Sequence, residues 1–313
     1  MNLTKTYLLI CIVVFFCKAF AQNDTRTIKT AYASGNNQIK ALLDSASLYL
    51  QLAPEKSFDF IEKALELSIT SKDQKNEGSC YSLLGQINAS LQQFDLSIDY
   101  YNKAIKAFST VDKNEMFKNY RLLAGVYEKN EKLTESINYY KAYLDYVIDR
   151  EMTGQIISAR YDLARVYTSQ GEYNKALREY NEIQSLEERR NNPAGLSDVN
   201  AMRGDVYLKQ EKPAEAITNF KRAVKIAEES EDKERKSKSL RSLGKAYRSN
   251  QQYDEELEAR QQSLQISEET KKIDDQVDDN LVIGEIYIEK NQASQAVQYI
   301  QKSVDLSNEI GDI

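Results

Sequence analysis

A recurrence constrains this chain more than anything else in it. A small residue followed three positions later by an aromatic appears as Ala124 with Tyr127, Ala164 with Tyr167, Gly204 with Tyr207, Gly244 with Tyr247 and Gly284 with Tyr287. Two earlier copies keep the small residue without the aromatic, as Gly85 with Asn88 and Ser45 with Leu48. The small positions are thus 45, 85, 124, 164, 204, 244 and 284, spaced by 40 residues five times and by 39 once. A fixed period of this length marks a stack of like units, each burying its apolar face against the next. A second small residue follows twelve positions on, at Ser57, Ser97, Ser136, Ala176, Ala216 and Ala296. A large residue comes four later, at Ile61, Tyr101, Tyr140, Tyr180, Phe220 and Ile300. Two helices approach closely only where side chains are small, and bulky ones fill the space beside the contact. Each unit therefore predicts helix, tight turn, helix, most plainly in Tyr161 to Tyr180, YDLARVYTSQGEYNKALREY. One unit breaks both series, with Glu256 and Arg260 at the contact positions. There the pattern predicts a local slip of the second helix or a weak joint.

Composition agrees with helices. Only 11 Gly and 3 Pro interrupt 313 residues, and 29% are charged. Histidine is absent, which excludes a Ser-His-Asp triad, a Cys-His dyad and a His-ligated zinc site. No phosphate-cradling glycine loop is present, and no carboxylate pair stands out as catalytic.

The pattern Leu-Gly/Ala-x-x-Tyr, then Tyr, Ala and Phe/Tyr, resembles the tetratricopeptide repeat family, best in Leu163 to Tyr180 and Arg203 to Ala223. The usual period of that family is shorter, so the resemblance is to a longer-helix variety. It implies an all-α fold, a right-handed α-solenoid of about seven units near 37–74, 75–113, 114–151, 152–192, 193–232, 233–272 and 273–313. It also implies a non-enzymatic scaffold for protein-protein interaction, with no cofactor, metal or catalytic residue, binding a peptide or protein on the concave face. The alternative is the sensory part of a bacterial two-component system, since exported arrays of this kind resemble the sensor regions of membrane histidine kinases.

The first 21 residues stand apart. Lys5 precedes the apolar run Tyr7 to Phe16, and Ala19-Phe20-Ala21 supplies small residues for cleavage. This predicts a secretory signal removed before Gln22, a polar tether over 22–36, and a bacterial protein that is periplasmic or secreted, with no membrane span after cleavage. Cleavage removes Lys5 and Lys18, leaving 40 basic against 48 acidic residues, and leaves Cys80 as the one cysteine. The mature chain then forms no internal disulfide, and Cys80 is expected to be a buried apolar residue. A net acidic chain is a poor ligand for nucleic acid.

The family's concave face takes positions −6, −3, +1 and +4 from the small reference residue. In the sixth unit these are Lys238, Arg241, Lys245 and Arg248, a basic stripe for an acidic peptide. The neighbouring units place Asp198, Asp205, Asp278 and Glu285 on the same rows, so the stripe has counter-charges within reach. A smaller group is Lys118, Arg121, Tyr161 and Arg165. The Tyr ladder at 127, 167, 207, 247 and 287 is expected to be packing. No polar capping helix follows the last unit, which leaves two expectations open: the uncapped C-terminal repeat packs on another surface, a second copy in a homodimer included, or the natural reading frame continued beyond it.

Overall fold

In a computed structural model, residues 35–50 and 52–311 are described. Among them fourteen helices follow one another and no strand occurs. They are α1 (Gly35–Tyr49), α2 (Pro54–Thr70), α3 (Gln74–Ser90), α4 (Phe94–Phe108), α5 (Lys113–Lys129), α6 (Leu133–Ile148), α7 (Thr153–Ser169), α8 (Tyr173–Arg189), α9 (Pro193–Lys209), α10 (Pro213–Glu229), α11 (Lys233–Ser249), α12 (Tyr253–Glu269), α13 (Ile273–Glu289) and α14 (Ala293–Ile310). Odd-numbered helices are the first of each hairpin and even-numbered ones the second. The predicted signal, and the tether up to the start of α1, lie outside the described residues. No helix among those described is long and apolar enough to cross a membrane.

Helix ends are set by backbone chemistry. From Glu131 onward a left-handed residue recurs every 20 positions: Glu131, Glu151, Gly171, Asn191, Glu211, Glu231, Gln251, Lys271, Asn291 and Gly311. At Gly171 the next amide, of Glu172, donates to the Tyr167 carbonyl at 2.8 Å, and Gly171 itself donates to Thr168 at 3.2 Å. This paired bond satisfies carbonyls that the helix end would otherwise orphan. Asp73, Asp112 and Asp232 accept from amides three residues on and cap the starts of α3, α5 and α11.

The chain divides into two compact units, residues 1–146 and 147–313. In the first, Ile39, Leu42, Ile61, Cys80, Leu84 and Ile87 form one buried cluster, and Tyr101, Leu123 and Val126 another. Cys80 is fully buried, and that burial pushes its thiol up to about 12. In the second, Ala216, Ile217, Phe220, Leu240, Leu243 and Tyr247 form the cluster that joins α10 to α11.

The small positions do what their spacing predicts. A Cβ on Gly85 would lie 3.0 Å from the Tyr101 ring, one on Gly204 2.7 Å from Phe220, and one on Gly284 2.5 Å from Ile300. The second small position serves the same contact. Ser57 Oγ donates to the Ala46 carbonyl and Ser97 Oγ to the Gly85 carbonyl, each at 2.8 Å. The Tyr ladder lies beside these contacts as packing, with Tyr127 stacked on Tyr139 and Tyr287 on Tyr299.

The expectation of a slipped helix in the sixth unit is corrected. α12 keeps its register. The stem of Arg260 lies over Gly244, where a Cβ would meet its Cγ at 3.4 Å, in the place Phe220 takes over Gly204. Arg260 is only 2% exposed. Its Nη1 donates to Asp278 at 2.8 Å and to buried Asp279 at 2.9 Å on α13. Asp279 also accepts from Ser263 Oγ at 2.7 Å, whose hydroxyl lies 3.0 Å from that of Ser237. Glu256, equally buried, accepts from Arg248 Nε at 2.8 and 3.0 Å. This contact position is charged where the other hairpins carry Ile, Tyr or Phe, and the charge is met by partners in contact because a buried charge persists only when paired.

Candidate peptide-binding face

The first helices of the second unit, α7, α9, α11 and α13, each bury one side against second helices and leave another in solvent. The basic stripe of α11 divides in two. Arg241 pairs with Asp275 at 2.5 Å, and Arg248 is held by Glu256 and by Glu289 at 3.1 Å. Those arginines serve the joint with α12 and α13. Lys238 and Lys245 remain exposed. Their field falls on Asp205 of α9, whose carboxyl is raised by desolvation against the pull of Lys245, Lys238 and Lys209. Asp205 is open to solvent at its surface yet walled in by protein on its other sides.

The counter-charges distribute unevenly. Asp198 accepts from Arg235 Nε at 3.0 Å, and Asp278 from Arg260. Asp205 and Glu285 stay exposed on α9 and α13. A mixed cleft opens between α11 and the start of α13, lined by Glu234, Lys238, Arg241, Lys272, Asp274 and Asp275, with Lys272 paired to Glu234 at 2.7 Å. Among the described residues no group of His, Cys, Asp or Glu is placed to hold a metal ion.

The smaller group is split between the units. In the first, exposed Lys118 pairs with Glu115 at 2.5 Å, and Arg121 lies 5.9 Å from the centre of the Tyr143 ring. In the second, Tyr161 packs edge-on against Tyr180 with ring centres 6.0 Å apart, and its burial raises the phenol pKa. Arg165 is exposed and pairs with Asp162 at 3.1 Å. Tyr161 is therefore mainly a packing residue. The pairing of Arg241 and Arg248 was not legible along the chain, since Asp275, Glu256 and Glu289 come from other helices.

Comparisons with known proteins follow this geometry. Tetratricopeptide repeat models match residues 198–269, and residues 78–110, 157–189 and 280–310, together more than half of the chain. A curated relative, tetratricopeptide repeat protein 29 of Trypanosoma brucei brucei, is 24% identical over 163 residues, 52% of this chain and 33% of the relative. The chain thus spans about a third of the length of that relative. Among solved structures, the apo form of RapI aligns with a TM-score of 0.59 and 15% identity over 88% of this chain and 100% of its own. A Rap protein complexed with competence and sporulation factor aligns at 0.53 and 16% identity over 99% and 97%. At such identities the structures speak for the fold, a solenoid of helical hairpins. The chain belongs to the tetratricopeptide repeat family.

Proposed function

We propose that this chain is an exported, non-enzymatic scaffold that binds a peptide or protein along the face lined by its first helices, with an acidic partner at Lys238 and Lys245. One observation carries the reading. In the second unit the first helices keep a charged row in solvent on one side while their other side is buried in the joints. A packing role alone asks for neither the charges nor their exposure. The Rap neighbour complexed with competence and sporulation factor supports ligand binding by a solenoid of this fold. The test is calorimetric titration with hexaglutamate. A Lys238→Ser/Lys245→Ser variant is expected to lose most of the wild-type affinity with its melting curve unchanged. Equal affinity would sink the site. Mass spectrometry of the secreted product should find Gln22 at its N-terminus.

A specific observation favours a second reading, self-association through the last hairpin. Leu281, Ile288, Val297 and Val304 of α13 and α14 are 42% to 66% exposed. The residues in register with Val297 and Val304 two hairpins earlier are Ile217 and Val224, which α11 covers. A second copy is the occupant proposed for this face, because burying four such side chains on each copy removes large apolar surface from water.

A further inference from the structure

Twelve residues after the ladder position, four hairpins carry a ring: Phe60, Tyr100, Tyr139 and Tyr299. Each stacks on a tyrosine of the first helix in its own hairpin. Phe60 lies on Tyr49, Tyr100 on Tyr81, Tyr139 on Tyr127 and Tyr299 on Tyr287, with ring centres 5.5 to 6.4 Å apart. The fourth and fifth hairpins carry Glu179 and Asn219 at that position. The sixth carries Ala259, a single methyl in the same apolar cluster as Tyr247. A cavity of about 260 Å³ lies there, walled by Val224 of α10, by Leu240, Leu243 and Tyr247 of α11, and by Ala259 of α12. Close-packed interiors leave few spaces of this kind. Exposed Lys221 of α10 reaches over it, with Nζ 5.6 Å from the centre of the Tyr247 ring. Leu243 and Tyr247 each stand two residues from Lys245, which at about 3.6 residues per turn puts them on the opposite side of α11.

We infer that this cavity takes one aromatic side chain of a peptide ligand, stacked on Tyr247 as Tyr299 is stacked on Tyr287. Aromatic pairs are favoured at centre separations of about 4.5–7 Å, the range that the pairs within the chain keep. The volume falls below the roughly 300–1,000 Å³ of pockets for drug-sized ligands, so it suits a single side chain and not a cofactor. The rim sets what surrounds the ring. Lys221 and Lys225 stand on the α10 side, and Glu255 and Glu258 on the α12 side. Charges of both signs at the mouth suit a polar peptide with an acid and a base beside its aromatic residue, and disfavour a lipid surface. On entry the ring displaces Lys221 from Tyr247, and a cation–π contact made by an exposed lysine is weak. The site lies between second helices, so it stands independently of the charged face lined by the first helices.

The probe is acetyl-Glu-Ser-(fluorophenylalanine)-Ser-Lys-amide, titrated with the full chain and followed by fluorine NMR line broadening. Unlabelled peptides with phenylalanine or alanine at the central position compete against it. Burying an aromatic side chain that alanine lacks is worth roughly ten- to a hundredfold in affinity, so the phenylalanine peptide should displace the probe at a concentration lower by that factor. Ala259→Tyr copies Tyr299 and fills the cavity from within. It is expected to abolish probe binding and to raise the melting temperature, as filling a cavity does. In the wild type the methyl resonances of Ala259 and Leu243 should shift during the titration, which locates the site without any substitution. Equal competition by the two peptides, or unchanged binding in Ala259→Tyr, overturns the inference. Methyl shifts confined to other residues, or a lowered melting temperature in Ala259→Tyr, also overturn it. Binding that Lys238→Ser/Lys245→Ser removes and Ala259→Tyr spares overturns it while leaving the charged face standing.

Discussion

At the scale of single residues the chain runs on two backbone demands. The first is closeness. Gly204 has no Cβ because one would sit 2.7 Å from the Phe220 ring. Gly204→Leu should overpack that contact and destabilise the second unit by about 1–3 kcal/mol. Chemical denaturation measures this, and an unchanged midpoint would refute the contact. The second demand is handedness. Glu211 holds φ at 58°, where an L side chain crowds its own backbone. Glu211→Gly is expected to stabilise by about 0.5–1 kcal/mol, since glycine takes this conformation without the steric penalty. Gly171→Ala, at φ 78°, should lose a similar amount.

At the scale of elements the joint between α12 and α13 differs from its neighbours. Arg260 stands where Phe220 stands one hairpin earlier, and Asp279 stands where Val199 stands two hairpins earlier. Removing one member leaves a buried charge alone. Arg260→Ala should therefore cost about 3–5 kcal/mol, while Arg260→Phe/Asp279→Val, which copies the apolar joint, should be neutral or stabilising. Urea denaturation of both variants separates the two outcomes. pH sharpens the test. Burial raises the Asp279 carboxyl above its ordinary value, against the pull of Ser263, Arg260 and Arg241. Glu256 is raised by burial too, against Arg248 and Arg260, with Glu289 adding to the rise. A carboxyl whose folded pKa exceeds its unfolded one holds more protons in the folded state. Its contribution to stability is largest at low pH and falls as pH rises from the unfolded pKa to the folded one. The advantage of Arg260→Phe/Asp279→Val over wild type should accordingly be greatest near neutral pH and shrink on acidification. An advantage that grows on acidification would contradict the assignment.

At the scale of the whole molecule stability comes from like hairpins stacked within each unit. The exposed apolar end of the last hairpin makes an association test decisive for the second reading. Light scattering coupled to size-exclusion chromatography should show a dimer that Val297→Asn/Val304→Asn converts to a monomer without lowering its helix content. A wild-type monomer at high concentration would end that reading.

How much was legible along the chain follows from the range of each interaction. The period of small residues, the partner sixteen positions on and the turn tips are local to one hairpin, so spacing alone determined that they would meet: Gly85 with Tyr101, Gly204 with Phe220, Gly284 with Ile300. Hairpins of this kind can only stack, and the all-helical fold follows from that. The ionic joint was misread because the partners of Arg260 lie on the next hairpin, and a charge at a contact position looks like a fault until Asp278 and Asp279 are placed against it. The basic stripe was legible as a stripe and illegible as a site. Helix periodicity put Lys238, Arg241, Lys245 and Arg248 on one side, but only the packing of α11 against α12 and α13 decided that the arginines are held and the lysines left in solvent. Periodicity is a property of one helix, whereas the availability of a charge depends on what its neighbours bring within a few ångströms.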